Sequence, residues 1–246
     1  MEEGTLIAAR GAQKLSREQL VEILPPEATA THKPIAHSEL VTNLVEGLDY
    51  RHISVVHDEY AVSEDGMKLF GLLELESGFD GARYALGIRN ANDKSMRLAM
   101  TVGYRVLVCS NMAFYGDFTP ILAKHSKNFH LVDAIAIGLD RMQRNFEPMR
   151  KQVQAWKESQ ISDERAQAIV YRAFIVGVLP THLVRPVDAL YFNPEHDEFR
   201  PRTLYSLSNA FTSAFKELEP VPQFKATAKL AEFLGRVIVR GDAYGS

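Results

Sequence analysis

Arg83, Arg89, Arg97 and Arg105 lie in two runs, RYALGIRN and MRLAMTVGYR, that alternate apolar with small side chains. Successive side chains of a strand point to opposite faces, so Tyr84, Leu86 and Ile88 share one face and Arg83, Ala85, Gly87 and Arg89 the other. The second run divides likewise, with Leu98, Met100 and Val102 opposite Arg97, Ala99, Thr101 and Arg105. A floor of Ala, Gly and Thr lets another backbone come close, and guanidinium groups at its margin match phosphate oxygens in shape and charge. Lys94, Lys124 and Lys127 would form a rim, and Tyr104, Phe114, Tyr115, Phe118 and Phe129 are interleaved with these charges. An exposed aromatic in such a place stacks on a base for about 1–3 kcal/mol. The chemistry expected is nucleic-acid binding, and it requires the arginine face to be open. Three other uses of the same residues stand beside it: arginines paired with the acidic N-terminal zone, a helix packed on the small residues, and arginines paired across a subunit interface.

The charge balance of the whole chain conceals this block. Its 246 residues include 28 basic and 31 acidic side chains, a net charge of -3, so it is not a polycation that coats nucleic acid over its entire surface. Residues 1–81 hold six basic and fifteen acidic side chains, residues 82–130 hold seven and two, and the remainder nets +1. The fifteen carboxylates of the first zone could imitate a nucleic-acid backbone, which makes a protein-interaction or anti-defence module working through that zone the alternative function.

Other chemistry finds little support. There is no GxSxG, P-loop or HExxH pattern, and Gly66, Gly71, Gly78 and Gly81 are too scattered to cradle phosphate. The single Cys109 excludes an internal disulfide and a Cys-rich zinc site and suits a reducing, cytoplasmic compartment. Glu195-His196-Asp197-Glu198 is the most metal-like run, yet it follows the turn Asn193-Pro194 and has no partner at ligand spacing. No metal and no cofactor is expected, and a metal-dependent nuclease would need paired carboxylates at a spacing the chain does not offer. In MEEGTLIAARG the apolar stretch Leu6–Ala9 is too short for a signal peptide, and AFIVGVL at 173–179 soon meets Pro180, His182 and Arg185, so no membrane span is expected.

The elements that must position these residues fall into three zones: a helical segment at 1–49, a sheet region at 50–129 and a helical region at 130–246. Ser16 with Gln19 makes a capping box before Leu20, and Pro25-Pro26 ends that helix. A second helix follows Ser38. Runs of β-branched and aromatic residues then alternate with turns, beginning with a hairpin at Asp65-Gly66 and closing at FYGDF. They predict an antiparallel meander of four to six strands. From His130, the residues Ile135, Leu139, Met142, Phe146, Met149, Val153 and Trp156 follow at spacings of three and four, the seam of a helix about 28 residues long. Pro148 is expected to kink or split it. Ser162 starts the next helix, and RTLYSLSNAFTSAFKEL and FKATAKLAEFLGRVIV give two more, separated by the breaker PVP at 220–222. Strands followed by helices predict an α+β fold in which the helical half packs on the antiparallel sheet, forming one compact domain.

The stretch GIRNANDKSMRLAMTVGYRVLVCSNMAFYGD resembles the signature region of a phage- and plasmid-borne family, domain of unknown function 932, through Asn90, Asp93, Ser95, Val108, Cys109 and Asn111. The helix RTLYSLSNAFTSAF is similar to that family's second recurring segment through Thr203, Leu204, Asn209 and Ala210. The chain departs from the pattern at Asn92, where the family has a His, and at Met112-Ala113. The resemblance implies a mobile-element setting, near genes of replication, recombination and anti-restriction, and carries no catalytic set. The order of elements is also that of the single-strand annealing proteins, which assemble into rings or filaments on DNA; this is an analogy of fold alone. The expectation is therefore a non-enzymatic, homo-oligomeric protein that binds single-stranded DNA. The helical seam ending in Trp156 could serve contact between subunits or cover the protein's own sheet.

Overall fold

A computed structural model of the chain describes residues 12–109, 111–114 and 121–239. The fold is α+β, an antiparallel sheet followed by a helical half. Seven strands form one sheet in the order β1 (Gln13–Leu15), β2 (Val55–Val62), β3 (Lys68–Phe79), β4 (Ala82–Ala91), β5 (Leu98–Val106) and β6 (Met112–Phe114), with β7 (Ile121–Ala123) also paired to β5. The β2–β3 hairpin turns at the expected Asp65-Gly66. There the Asp65 carboxylate accepts from Ser63 and from the Met67 amide, and Gly66 takes a φ of 70° that other residues avoid.

The chain divides into two compact units, Met1–Arg105 with Phe118–Phe146, and Val106–Asp117 with Glu147–Ser246. In the first, α1 (His37–Asp49) and the N-terminal half of α2 (Leu131–Glu158) lie on the face of the sheet that carries Tyr84, Ile88 and Met100. Contact there is close. A Cβ on Gly138 would stand 2.5 Å from Ile121 Cγ1 and 3.0 Å from Met100 Cε, and one on Gly47 would stand 2.8 Å from Leu139. The Tyr84 ring stacks on Phe146 at 3.9 Å and its hydroxyl donates to the Phe146 carbonyl at 2.9 Å.

The second unit gathers β6, the C-terminal half of α2, α3 (Asp163–Ile175), α4 (Val184–Phe192), α5 (Leu204–Ala214) and α6 (Pro220–Val239). Ser162 caps α3 by accepting from the Arg165 amide at 3.2 Å, and Thr203 caps α5 by accepting from Ser206 at 3.1 Å. Helix α5 is almost wholly buried, with α4 and α6 among its neighbours.

Several details differ from the sequence reading. The Ser16–Gln19 box forms reciprocally, but Pro25-Pro26 leaves room only for a 3₁₀ turn at Gln19–Glu22. Helix α2 has the expected 28 residues and runs through Pro148 unbroken. Its seam residue Trp156 is 1% exposed, so it offers no surface to another subunit. PVP does separate two helices, and it does so as the first turn of α6, where proline lacks only an amide hydrogen that has no partner anyway. Tyr115, Phe118 and the N-terminal MEEGTLIAARG lie outside the described residues, as does the side chain of Phe114. Among the described residues no helix is long and apolar enough to cross a membrane.

Candidate nucleic-acid interface

Of the seven basic candidates, Arg83 and Arg105 lie toward one end of the sheet and Lys94, Arg97, Lys124 and Lys127 at the other, with Arg89 apart from both groups. From Arg83 to Arg89 strand β4 rises about 20 Å, at about 3.3 Å per residue. At the Arg83 end a carboxylate already occupies the guanidiniums. Glu74 of β3, paired across the ladder with Ala85, accepts from Arg83 at 2.9 Å and from Arg105 at 2.5 Å. Glu74 is 2% exposed. Burial alone would raise its carboxyl, but hydrogen bonds and charge from the two arginines outweigh burial and hold it below the usual range. One of the three other uses, pairing with an acidic residue of the N-terminal zone, is thus what Arg83 and Arg105 do.

The small-residue floor is closed as well, except at half-buried Gly87. Ala85, Ala99 and Thr101 are 0%, 7% and 3% exposed, so no phosphodiester chain runs over them in this conformation. Tyr104 is likewise in the core, edge-on to Phe79 at 5.3 Å. Arg89, nearer the other end, has a buried Nε with no hydrogen-bond partner among the described residues, and burial lowers its pKa.

At the β4–β5 turn the picture reverses. Lys94 and Arg97 are exposed on the turn, and Lys124 and Lys127 are exposed just after β7. The pairing Leu98↔Ala123 sets Arg97 and Lys124 one step beyond the same rung. A third segment joins them, one that carries no local signal for it. His32 bridges to Ser126, and the Lys33 amide donates to the His125 carbonyl at 3.2 Å. Exposed Lys33 is thereby set beside Lys124 and Lys127. None of these five cations has an ion pair among the described residues.

Beneath them the three segments are pinned by polar contacts. The His32 ring lies flat on the His125 ring, 5.4 Å between centroids, and its two nitrogens face the carbonyls of His125 and Asn92 at 3.1 and 3.2 Å. Asn90 and Asn92 both donate to the Ile35 carbonyl, at 2.9 and 3.0 Å, and Asn92 accepts from the Ile35 amide. The His37 ring donates through Nε2 to the Gly66 carbonyl, which leaves Nδ1 to accept from Asn90. Burial lowers the pKa of His37. His125 has no hydrogen-bond partner for either ring nitrogen among the described residues, and burial, with its His32 and His37 neighbours, pushes it down to about 4. The turn itself is held by Asp93, which accepts from the Ser95 amide and hydroxyl and pairs with Lys68 at 3.1 Å, while Lys94 takes a φ of 66°. Beside this end a recess of about 250 Å³ is lined by Lys33, Phe129 and His130 together with Glu39 and Asp133.

The motif residues therefore hold shape rather than present reactive groups. Asp93 and Ser95 build the turn, and Asn90 pins the Ile35–His37 segment to β4. In the second unit Asn111 donates to the Asn209 carbonyl at 3.2 Å, so the two segments that carry the family resemblance meet there. Cys109 lies close by, its carbonyl accepting from Lys216 at 2.6 Å and its thiol raised by burial. Among the described residues no three His, Cys, Asp or Glu side chains are placed to hold a metal ion, and Asp197 of the acidic run pairs with Arg200. No family model matches the chain, nor does any curated protein or solved structure.

Proposed function

We infer that the protein is a non-enzymatic, cytoplasmic binder of single-stranded nucleic acid, DNA in the first instance, acting in replication or recombination of a mobile element. The observation that carries this reading is the convergence of Lys33, Lys94, Arg97, Lys124 and Lys127 at one end of the sheet, all exposed and without carboxylate partners among the described residues. Unneutralised like charges repel one another, and an arrangement that gathers them on rigid elements favours a polyanion that relieves the repulsion. Four of the five were expected from the sequence, Arg97 as a phosphate contact and Lys94, Lys124 and Lys127 as the rim, whereas the other expected phosphate contacts, Arg83, Arg89 and Arg105, lie elsewhere. The binding surface is the rim of the sheet and not its small-residue floor. Phe129, half-exposed in the neighbouring recess, is the aromatic placed to stack on a base.

Three carboxylates of the acidic zone are engaged within the chain: Asp58 pairs with Arg17, Glu59 bonds the His57 ring, and Glu74 pairs with two arginines. The test is fluorescence anisotropy with a labelled oligothymidylate. Reversing charge at Arg97 and Lys124 together (Arg97→Glu/Lys124→Glu) abolishes binding if the rim is the contact, and Phe129→Ala weakens it by about 1–3 kcal/mol. Binding that survives the double reversal rejects the assignment.

A further inference from the structure

The second unit contains a trough of about 630 Å³ between α3 and α6. Its apolar surface comes from Ile169 and Val178, both buried, and from half-buried Phe233 and Val237. It is continuous at its mouth with Val176, 47% exposed, and close in sequence to Ile175, 53% exposed. Soluble chains rarely leave adjoining apolar side chains open in this way unless something covers them.

The margins are charged and regular. On α3, Arg165 and Arg172 are seven residues apart; on α6, Lys229 and Arg236 are also seven apart. Seven residues of helix rise about 10.5 Å, so each wall presents two cations at the heptad spacing with apolar side chains between them. One acidic residue, Glu232, lines the trough, and it is committed to Arg236. Arg165, Arg172 and Lys229 have no ion pair among the described residues.

We propose that this trough is the docking groove for an acidic amphipathic helix of a partner protein, its apolar stripe filling the trough and its carboxylates meeting the cations on both margins. A helix laid in a groove presents anchors at i, i+3, i+4 and i+7, and the volume suits roughly three or four large aliphatic side chains. The charge pattern decides between occupants. A single-headed lipid carboxylate would satisfy one cation, whereas a helix with acidic residues flanking its apolar stripe returns to the α3 margin every seven residues, meeting Arg165 and Arg172, and meets Lys229 across the trough. The groove lies wholly within the second unit and does not depend on the nucleic-acid reading of the first.

The test uses the full chain and a fluorescein-labelled helical peptide with leucines in an a/d pattern and glutamates at the flanking e and g positions. We expect saturable binding, at least tenfold weaker for the same peptide with lysines in place of glutamates. The variant Arg172→Glu/Lys229→Glu, both changes on exposed side chains, should lower affinity for the acidic peptide at least tenfold and raise it for the basic one, with an unchanged circular dichroism spectrum. Equal binding of the two peptides, or no effect of the double variant, overturns the proposal. So does a site that takes dodecanoate while the acidic peptide leaves anisotropy unmoved, since that identifies a lipid carboxylate pocket. Displacement of the peptide by oligothymidylate would place the groove on a nucleic-acid surface and equally overturn it.

Discussion

Replacing Glu74 by Gln keeps the shape of the side chain and removes its charge, leaving two guanidiniums facing a neutral amide at the end of β4. Removing one partner of a buried ion pair costs about 3–5 kcal/mol, because the remaining charge stays desolvated. That range needs discounting here, since the Arg83 side chain is 43% exposed and its share is screened by water, whereas that of Arg105 is 14% exposed. About 2–4 kcal/mol remains, which for a chain of this length lowers the melting temperature by roughly 5–15 °C. The assay is urea denaturation of wild type and Glu74→Gln at several pH values. Because the two arginines hold the Glu74 carboxyl below its ordinary value, the stabilisation is fully present above the carboxylate pKa of an unfolded chain and is lost as pH falls through the lower folded value. The gap between the two proteins should therefore be full at pH 7 and narrow below about pH 4.5. A variant within about 0.5 kcal/mol of wild type at pH 7 would show that the two ion pairs of Glu74 contribute no net stability.

Three further outcomes follow from the same geometry. His125, held down to about 4 in the folded chain and near 6.5 when unfolded, should cost stability as pH drops from 6.5 toward 4, by up to about 3 kcal/mol at 1.36 kcal/mol per unit; His125→Phe keeps a ring against His32 and should flatten that part of the pH–stability curve. Gly138→Ala gains about 1 kcal/mol of helix propensity but drives a methyl to 2.5 Å from Ile121, so thermal unfolding should show a net loss of about 1–2 kcal/mol. Thr203→Ala, which deprives the Ser206 amide of its cap, should cost about 1 kcal/mol by urea denaturation.

What could be read from the sequence was what local periodicity encodes. The α2 seam was legible because its spacing alone separates Ile135, Leu139, Met142, Met149 and Val153 from the polar face, and all five are no more than 2% exposed. The two faces of β4 and β5 were legible for the same reason. What fills each face was not, because Glu74 reaches Arg105 across 31 residues and through the register of three strands. Lys33 was missed because nothing in Thr31-His32-Lys33-Pro34 signals a bridge to Ser126, 94 residues further on. Four of the basic candidates come together, and three do not, for one physical reason: a turn or loop exposes its cations, whereas a strand buried on both faces must neutralise or desolvate them.

Whether the rim holds a phosphate backbone is decided by the salt dependence of oligothymidylate binding. Five rim contacts on single-stranded nucleic acid, at about 0.7 per phosphate, give a logarithmic slope near −3.5. Affinity should then fall by about two decades between 50 and 200 mM salt, and Arg97→Gln/Lys124→Gln should reduce the slope to about −2. Failure to bind at low salt, or a slope that the double variant leaves unchanged, would exclude the rim as the phosphate contact.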